Sequence, residues 1–454
     1  MALGIVVLLC LLVLMLVHFR VHGRDSGESS SRNAVKVDYS CQFPPSRHDT
    51  LASLQGSKSP IPSSSTLQRH ALPTTRTPDF SNNNQYTPTG FSIHEIKTLG
   101  PFPDYAVLSG VPHPRPCPQF NIQTACFRPF RPFRWTYHQT MSLMKLDPDY
   151  WVELDSTYYT RLDQRRKLRR QHGRDIMDLN PGAELAAREL MEVVLQNVTI
   201  RYPHLFCLEE GNTVFVNRLL DTKVDLTTTP PLDVLFDNIP EDYAIMLRNE
   251  NDGLYYLRGG MICSSIGWNF GEKFNKPLAA IHEPVVDYKA KMAFSMDRFF
   301  AKMPTDAPIQ RGSWNIVDDN LIYLAPGATP SPRTNVSIEE CNLRVDFQTL
   351  RRLPLSGAIV FDFKVAFTPL TELKEEPYIP SLLRKQLDEA KPALTAGKIY
   401  PHLRETVIDA LCEWEGYQIG KGMMSQGWEV GTLAESPFYP GWEGRWRGRV
   451  GFEI

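Results

Sequence analysis

The segment GAIVFDFKVAF (357–367) constrains the fold more than any other. Ile359, Phe361, Phe363, Val365 and Phe367 recur at every second position and share one side of an extended chain. A pleated strand has that period and a helix does not, so these residues predict a half-buried strand with an apolar face to cover. Shorter strand-like runs, bounded by turn residues, lie at 213–219, 243–249, 254–263, 320–326 and 341–347. Helical patterns flank them at 148–171, 381–394 and 401–415. A further helix opens at Pro181 behind a capping Asn180, with Leu185, Ala186, Leu190, Val193 and Val194 on its apolar face. Strands crowd the centre and helices the flanks, without βαβ alternation. That pattern predicts an α+β fold on an antiparallel sheet with flanking helices.

The N-terminus reads differently. Residues 2–17, ALGIVVLLCLLVLMLV, carry no charge, and His18, Arg20, His22 and Arg24 follow directly. The expectation is a transmembrane helix over 1–19, with membrane lipid as its partner. Basic residues after the span place the main domain in the cytosol, on the endoplasmic reticulum membrane. The alternative is a cleaved signal peptide and a location in the secretory lumen or outside the cell. Residues 20–91, rich in Ser, Pro, Asn and Thr, read as a disordered tether. The folded domain is expected over 92–426, followed by a tail, 427–454, dense in Trp and Gly.

Several chemistries are excluded by what is missing. A formal net charge of -2 gives no footprint for nucleic acid. The basic run RRKLRR (165–170) reads as a solvated helical face. The eight cysteines are scattered and form no Cys-x-x-Cys pair. There is no Gly-x-Gly-x-x-Gly, no phosphate loop and no Gly-x-Ser-x-Gly elbow. HEPVV (282–286) begins like a zinc-protease helix, but Val286 stands where the second histidine is needed and Pro284 breaks the turn.

Three segments concentrate Trp, Arg, His and Gln beyond the needs of a core: 264–300, 310–324 and 343–370. They contain Gly267-Trp268, then Ile281-His282-Glu283-Pro284-Val285-Val286, Asp297-Arg298-Phe299-Phe300 and Arg311-Gly312-Ser313-Trp314. Phe347-Gln348-Thr349-Leu350-Arg351-Arg352-Leu353-Pro354 closes the series. With TMSLMKLDPDYWVELDSTYY (140–159) upstream, this order of motifs resembles the haem-dependent oxidative N-demethylase-like family over roughly 130–415. The chain departs from the family pattern at three places. Val286 replaces a second proline, Phe347 an arginine and Ser313 an asparagine.

The resemblance implies a PAS-like sheet holding a b-type haem (haem b) whose iron takes a histidine ligand. It implies oxygen-dependent removal of a methyl group from a small secondary amine, with electrons from a flavin or iron–sulfur reductase partner. The alternatives are a non-catalytic haem-binding sensor and a haem-free scaffold of the same fold. His282, after the apolar Leu278–Ile281 and before Pro284, is the candidate axial ligand; its other reading is a structural histidine at a corner. His138 and His402 are lesser candidates. Arg298, Arg311, Arg351 and Arg352 are candidates for the haem propionates, because a guanidinium matches a carboxylate. Trp268, Trp314 and Gln348 are candidates for the substrate pocket.

Overall fold

The structure, a computed structural model, describes residues 42–48, 83, 85–138, 140–249, 251–328 and 333–450. Its strands are β1 (Met144–Lys145), β2 (Met177–Leu179), β3 (Phe206–Glu209), β4 (Val214–Asn217), β5 (Thr222–Asp225), β6 (Asp242–Arg248), β7 (Tyr255–Met261), β8 (Ile309–Val317), β9 (Asn342–Arg352) and β10 (Ile359–Pro369). Seven of them form one antiparallel sheet in the order β1-β8-β9-β10-β6-β7-β2, and β3-β4-β5 form a separate meander. The helices are α1 (Ile93–Leu99), α2 (Tyr105–Ser109), α3 (Tyr158–His172), α4 (Glu184–Arg201), α5 (Pro231–Asn238), α6 (Phe270–Lys273), α7 (Leu278–Ile281), α8 (Ala293–Lys302), α9 (Ile379–Glu389), α10 (Pro392–Thr395), α11 (Arg404–Gly420) and α12 (Trp442–Val450).

β9 and β10 pair along their whole length, from Ile359 opposite Arg352 to Pro369 opposite Asn342. Alternation along the pleat divides the core in two. On one side Tyr243, Ile245, Val345, Phe347 and Val360 join the larger core, to which α4 contributes Leu190, Val194 and Val198. On the other side Ala244, Met246, Leu350 and Ile359 meet Met292, Met296 and Phe300. Gly260 makes the β6–β7 approach possible: a Cβ there would sit 2.2 Å from the Tyr243 carbonyl oxygen, at a φ of +141°.

β10 is not half-buried, because its polar side is covered too. Asp362 and Lys364 lie in the larger core, and the Lys364 ammonium is 3.0 Å from Asp155 and 3.3 Å from Glu241. Lys364 keeps its charge beside those carboxylates, whereas burial and Glu241 push the Asp362 pKa well up and favour its neutral form; the period of two records only which residues share a face. Three arginines of the basic run on α3 are likewise paired: Arg165 is buried against Asp242, Arg169 lies 2.5 Å from Asp233 and Arg166 3.4 Å from Asp237. α4 begins at Glu184 without a side-chain cap. Gly182, at a φ of +98°, breaks the path from Asn180, which instead accepts from the Ala183 N–H in a turn. The run at 320–326 forms no strand and makes one isolated bridge, Leu324 with Ile266.

The expected architecture of a PAS-like sheet preceded by a transmembrane helix and a disordered tether needs correction. Among the described residues no helix is long and apolar enough to cross a membrane. The span expected over 1–19 lies outside those residues. The lipid partner and the location on the endoplasmic reticulum membrane rested on that span and are withdrawn with it. Parts of the supposed tether are packed on the domain. Gln42 donates to the Ala301 carbonyl at 2.9 Å, Phe43 is buried, and Thr89 donates to the Leu355 carbonyl at 2.9 Å. At the other end, Tyr439, Trp446 and Val450 are buried, and the Trp446 indole donates to the Cys126 carbonyl at 2.9 Å.

Candidate functional site

The side of the large sheet away from α4 forms a floor. Its pleat brings Phe361 and Phe363 of β10, Gln348 and Leu350 of β9, and Arg311 and Ser313 of β8 to one surface. Phe363 lies opposite Gln348, and Gln348 opposite Arg311. Segment 278–300 forms the roof through Leu278, His282, Val285, Met292, Met296 and Phe299. Between them is a cavity of about 560 Å³. The rings of Phe361 and Phe363 lie parallel with centroids 5.7 Å apart. Both rings, with Trp268, Val285 and Phe299, are only half-buried. The walls therefore offer apolar surface suited to an apolar ligand. A more polar hollow of about 510 Å³ adjoins it, sharing Trp268, Ser313, Gln348 and Phe363 and adding Ser265 and Asp346.

His282 terminates α7, a single turn that starts behind Pro277. Its backbone N–H donates to the Leu278 carbonyl at 3.0 Å and its Nδ1 lies 2.8 Å from the same oxygen. A carbonyl only accepts, so Nδ1 carries the proton and Nε2 keeps its lone pair. Tyr288 stacks on the imidazole, with ring centroids 5.0 Å apart and planes at 8°. Burial pushes the His282 pKa down, the Leu278 bond opposes this, and Arg311 and Lys273 push it down further. The ring is therefore held neutral in one tautomer. Such an imidazole can ligate a metal or accept a proton. No group of three or more His, Cys, Asp or Glu gathers at metal-binding spacing among the described residues. An iron here would need most of its ligands from a cofactor.

The structure brings His282, Arg311, Trp268 and Gln348 around one cavity. The other candidates lie outside its lining. Arg298 is exposed on α8. Arg352 is fully buried and donates to the carbonyls of Phe300, Met303 and Gly357 and to the Tyr255 hydroxyl. Arg351 lies on the larger-core side, 4.4 Å from the Trp151 ring centroid. Trp314 packs edge-on to Phe133 at 5.2 Å on that side as well. His138 is exposed, and His402 lies 3.0 Å from Asp318 outside the cavity. Of the three departures from the family pattern, Phe347 faces the larger core, whereas Ser313 and Val286 line the cavity.

Two lining residues of chemical interest carried no signal in the sequence. Lys398 sits in the loop after α10, and Lys273 ends α6 and donates to the Ile281 carbonyl at 3.1 Å. Single lysines outside any motif or period are invisible until the loop is placed. A family model described as haem-dependent oxidative N-demethylase, alpha subunit-like, matches residues 142–408.

Proposed function

The chain belongs to the family of haem-dependent oxidative N-demethylase alpha-subunit-like proteins, and from that premise we propose that the cavity under segment 278–300 would hold a b-type haem, with His282 as the residue that would ligate its iron. The observation that carries this reading is the free Nε2 of a neutral, backbone-held imidazole in an apolar cavity. Proximal histidines of haem proteins need that arrangement, with the second nitrogen tied to an acceptor. The residues present fit the group. The cavity's size is that of a cofactor site, and the parallel Phe361 and Phe363 rings offer a flat apolar wall.

When bound, the haem supplies the redox chemistry for oxygen-dependent removal of a methyl group from a small secondary amine. The chain's residues have other tasks. The Leu278 carbonyl holds the His282 proton at Nδ1 and fixes the ring. Phe361, Phe363 and Leu350 keep water from the floor. Trp268 and Gln348 stand where the apolar cavity meets the polar hollow. A protonated amine can lie there over the indole face while the carboxamide oxygen accepts from it.

The test is an absorption spectrum of purified chain reconstituted with haem. The expected result is a Soret band that His282→Ala shifts or abolishes while the far-ultraviolet circular dichroism stays unchanged. A wild-type chain without a Soret band overturns the reading. Release of formaldehyde from methylamines by the reduced, oxygen-exposed protein separates a catalyst from a sensor.

A further inference from the structure

Arg311 and Lys398 both line the cavity from unrelated elements, close enough for the Arg311 charge to act on Lys398. The pleat of β8 puts Arg311 on the cavity side, opposite Gln348. Lys398 is placed by its backbone, whose carbonyl accepts from the Ile316 N–H at 2.7 Å, while Ile399 bridges Ile316. Its ammonium lies 5.5 Å from the centroid of the Trp314 ring.

Most other buried arginines among the described residues have strong acceptors. Arg128 meets Glu153 at 2.8 Å, Arg131 meets Glu376 at 2.7 Å, Arg165 meets Asp242, and Arg352 meets three carbonyls. Arg351, on the other side of the sheet and also pushed down to about 10, reaches the Ser109 hydroxyl at 3.5 Å. Arg311 makes no side-chain hydrogen bond or ion pair among the described residues, and its Nε is wholly buried. Arg134 adds repulsion and, among the described residues, itself donates to neutral oxygens, those of Thr140, Ser142 and the His138 carbonyl. The carboxylate that acts on Lys398, Asp346, already accepts from Arg344 at 3.0 and 2.8 Å. Burial accordingly pushes Arg311 down to about 10 and Lys398 down to about 8. Both side chains are half-buried; a partly desolvated cation without an anion is unfavourable, and an entering carboxylate reduces the penalty. A guanidinium receives it through two parallel bonds.

We infer that Arg311 and Lys398 form a carboxylate-binding site within the cavity, filled by a carboxylate of the haem or by one on the substrate. The first source rests on the haem reading; the site itself does not. The experiment titrates the purified chain, Arg311→Met and Lys398→Met with haem and with haem dimethyl ester, whose propionates are blocked. Thermal melts are run with and without acetate. If the haem supplies the carboxylate, the wild type binds haem about tenfold more tightly than the ester, and each variant loses that preference. If the substrate supplies it, both porphyrins bind all proteins alike. Acetate then raises the melting temperature of the wild type and not of the variants. A wild type that binds neither porphyrin removes the haem reading alone, and the acetate melts still decide the site. Equal porphyrin preference and equal acetate response across the three proteins overturn the inference.

Discussion

Arg351 and Arg352 are neighbours in sequence with different fates. Arg352 donates to the carbonyls of Phe300, Met303 and Gly357 and so ties the end of α8 to the β9–β10 turn. Replacing it with leucine strands those carbonyls without donors, each unsatisfied group costing about 1–3 kcal/mol. Arg352→Leu should lower the unfolding free energy by about 3 kcal/mol or more, read as a lower urea midpoint. A change within about 0.5 kcal/mol, the range of ordinary surface substitutions, would refute the clamp. The motif QTLRRLP marks both arginines alike. Only their alternation on β9 and the neighbours on each side separate them.

At the scale of elements, α4 carries the β9–β10 turn on one carboxylate. Glu189 accepts from the backbone N–H groups of Leu355 and Ser356 in the larger core. Burial pushes its pKa up from 4.5 to about 7, against the pull of those hydrogen bonds. The folded state therefore holds this proton more tightly than the unfolded chain does. The resulting stabilisation is fully present below about pH 4.5 and is lost as the pH rises through about 7. Glu241, also pushed up to about 7, and Asp362, raised well above the ordinary range, act in the same direction. The melting temperature of the wild type should fall between those pH values, and Glu189→Gln should flatten part of that slope. An unchanged slope in the variant would show that Glu189 does not titrate there.

At the scale of the molecule, the C-terminal segment belongs to the body of the fold. Tyr439, Trp446 and Val450 are buried, and Arg449 meets Glu372 at 2.5 Å. Burying each large apolar side chain contributes roughly 1.5–3 kcal/mol. A chain ending at residue 426 should therefore melt markedly lower and bind a hydrophobic dye at the surface around Cys126 and Phe130. An unchanged melt would mean that the segment only rests on the domain. The density of Trp and Gly beyond residue 427 gave no sign of where the segment lies. Its partner is a stretch some three hundred residues earlier, such as the Cys126 carbonyl that receives the Trp446 indole.

The chain by itself determined what is local: the strand at β10, the helix face of α4, and the ordered motifs that mark the family. Periods of 2 and 3.6 residues and motif identity depend on near neighbours, so they survive in one dimension. Tertiary structure decided which side of each strand faces the cavity and which charges are buried. It placed Arg311 rather than Arg351 or Arg352 at the site, set Lys398 beside it, and covered both sides of β10. Those outcomes depend on strand register and on the layers packed against each face, which bring distant residues together and have no period along the chain.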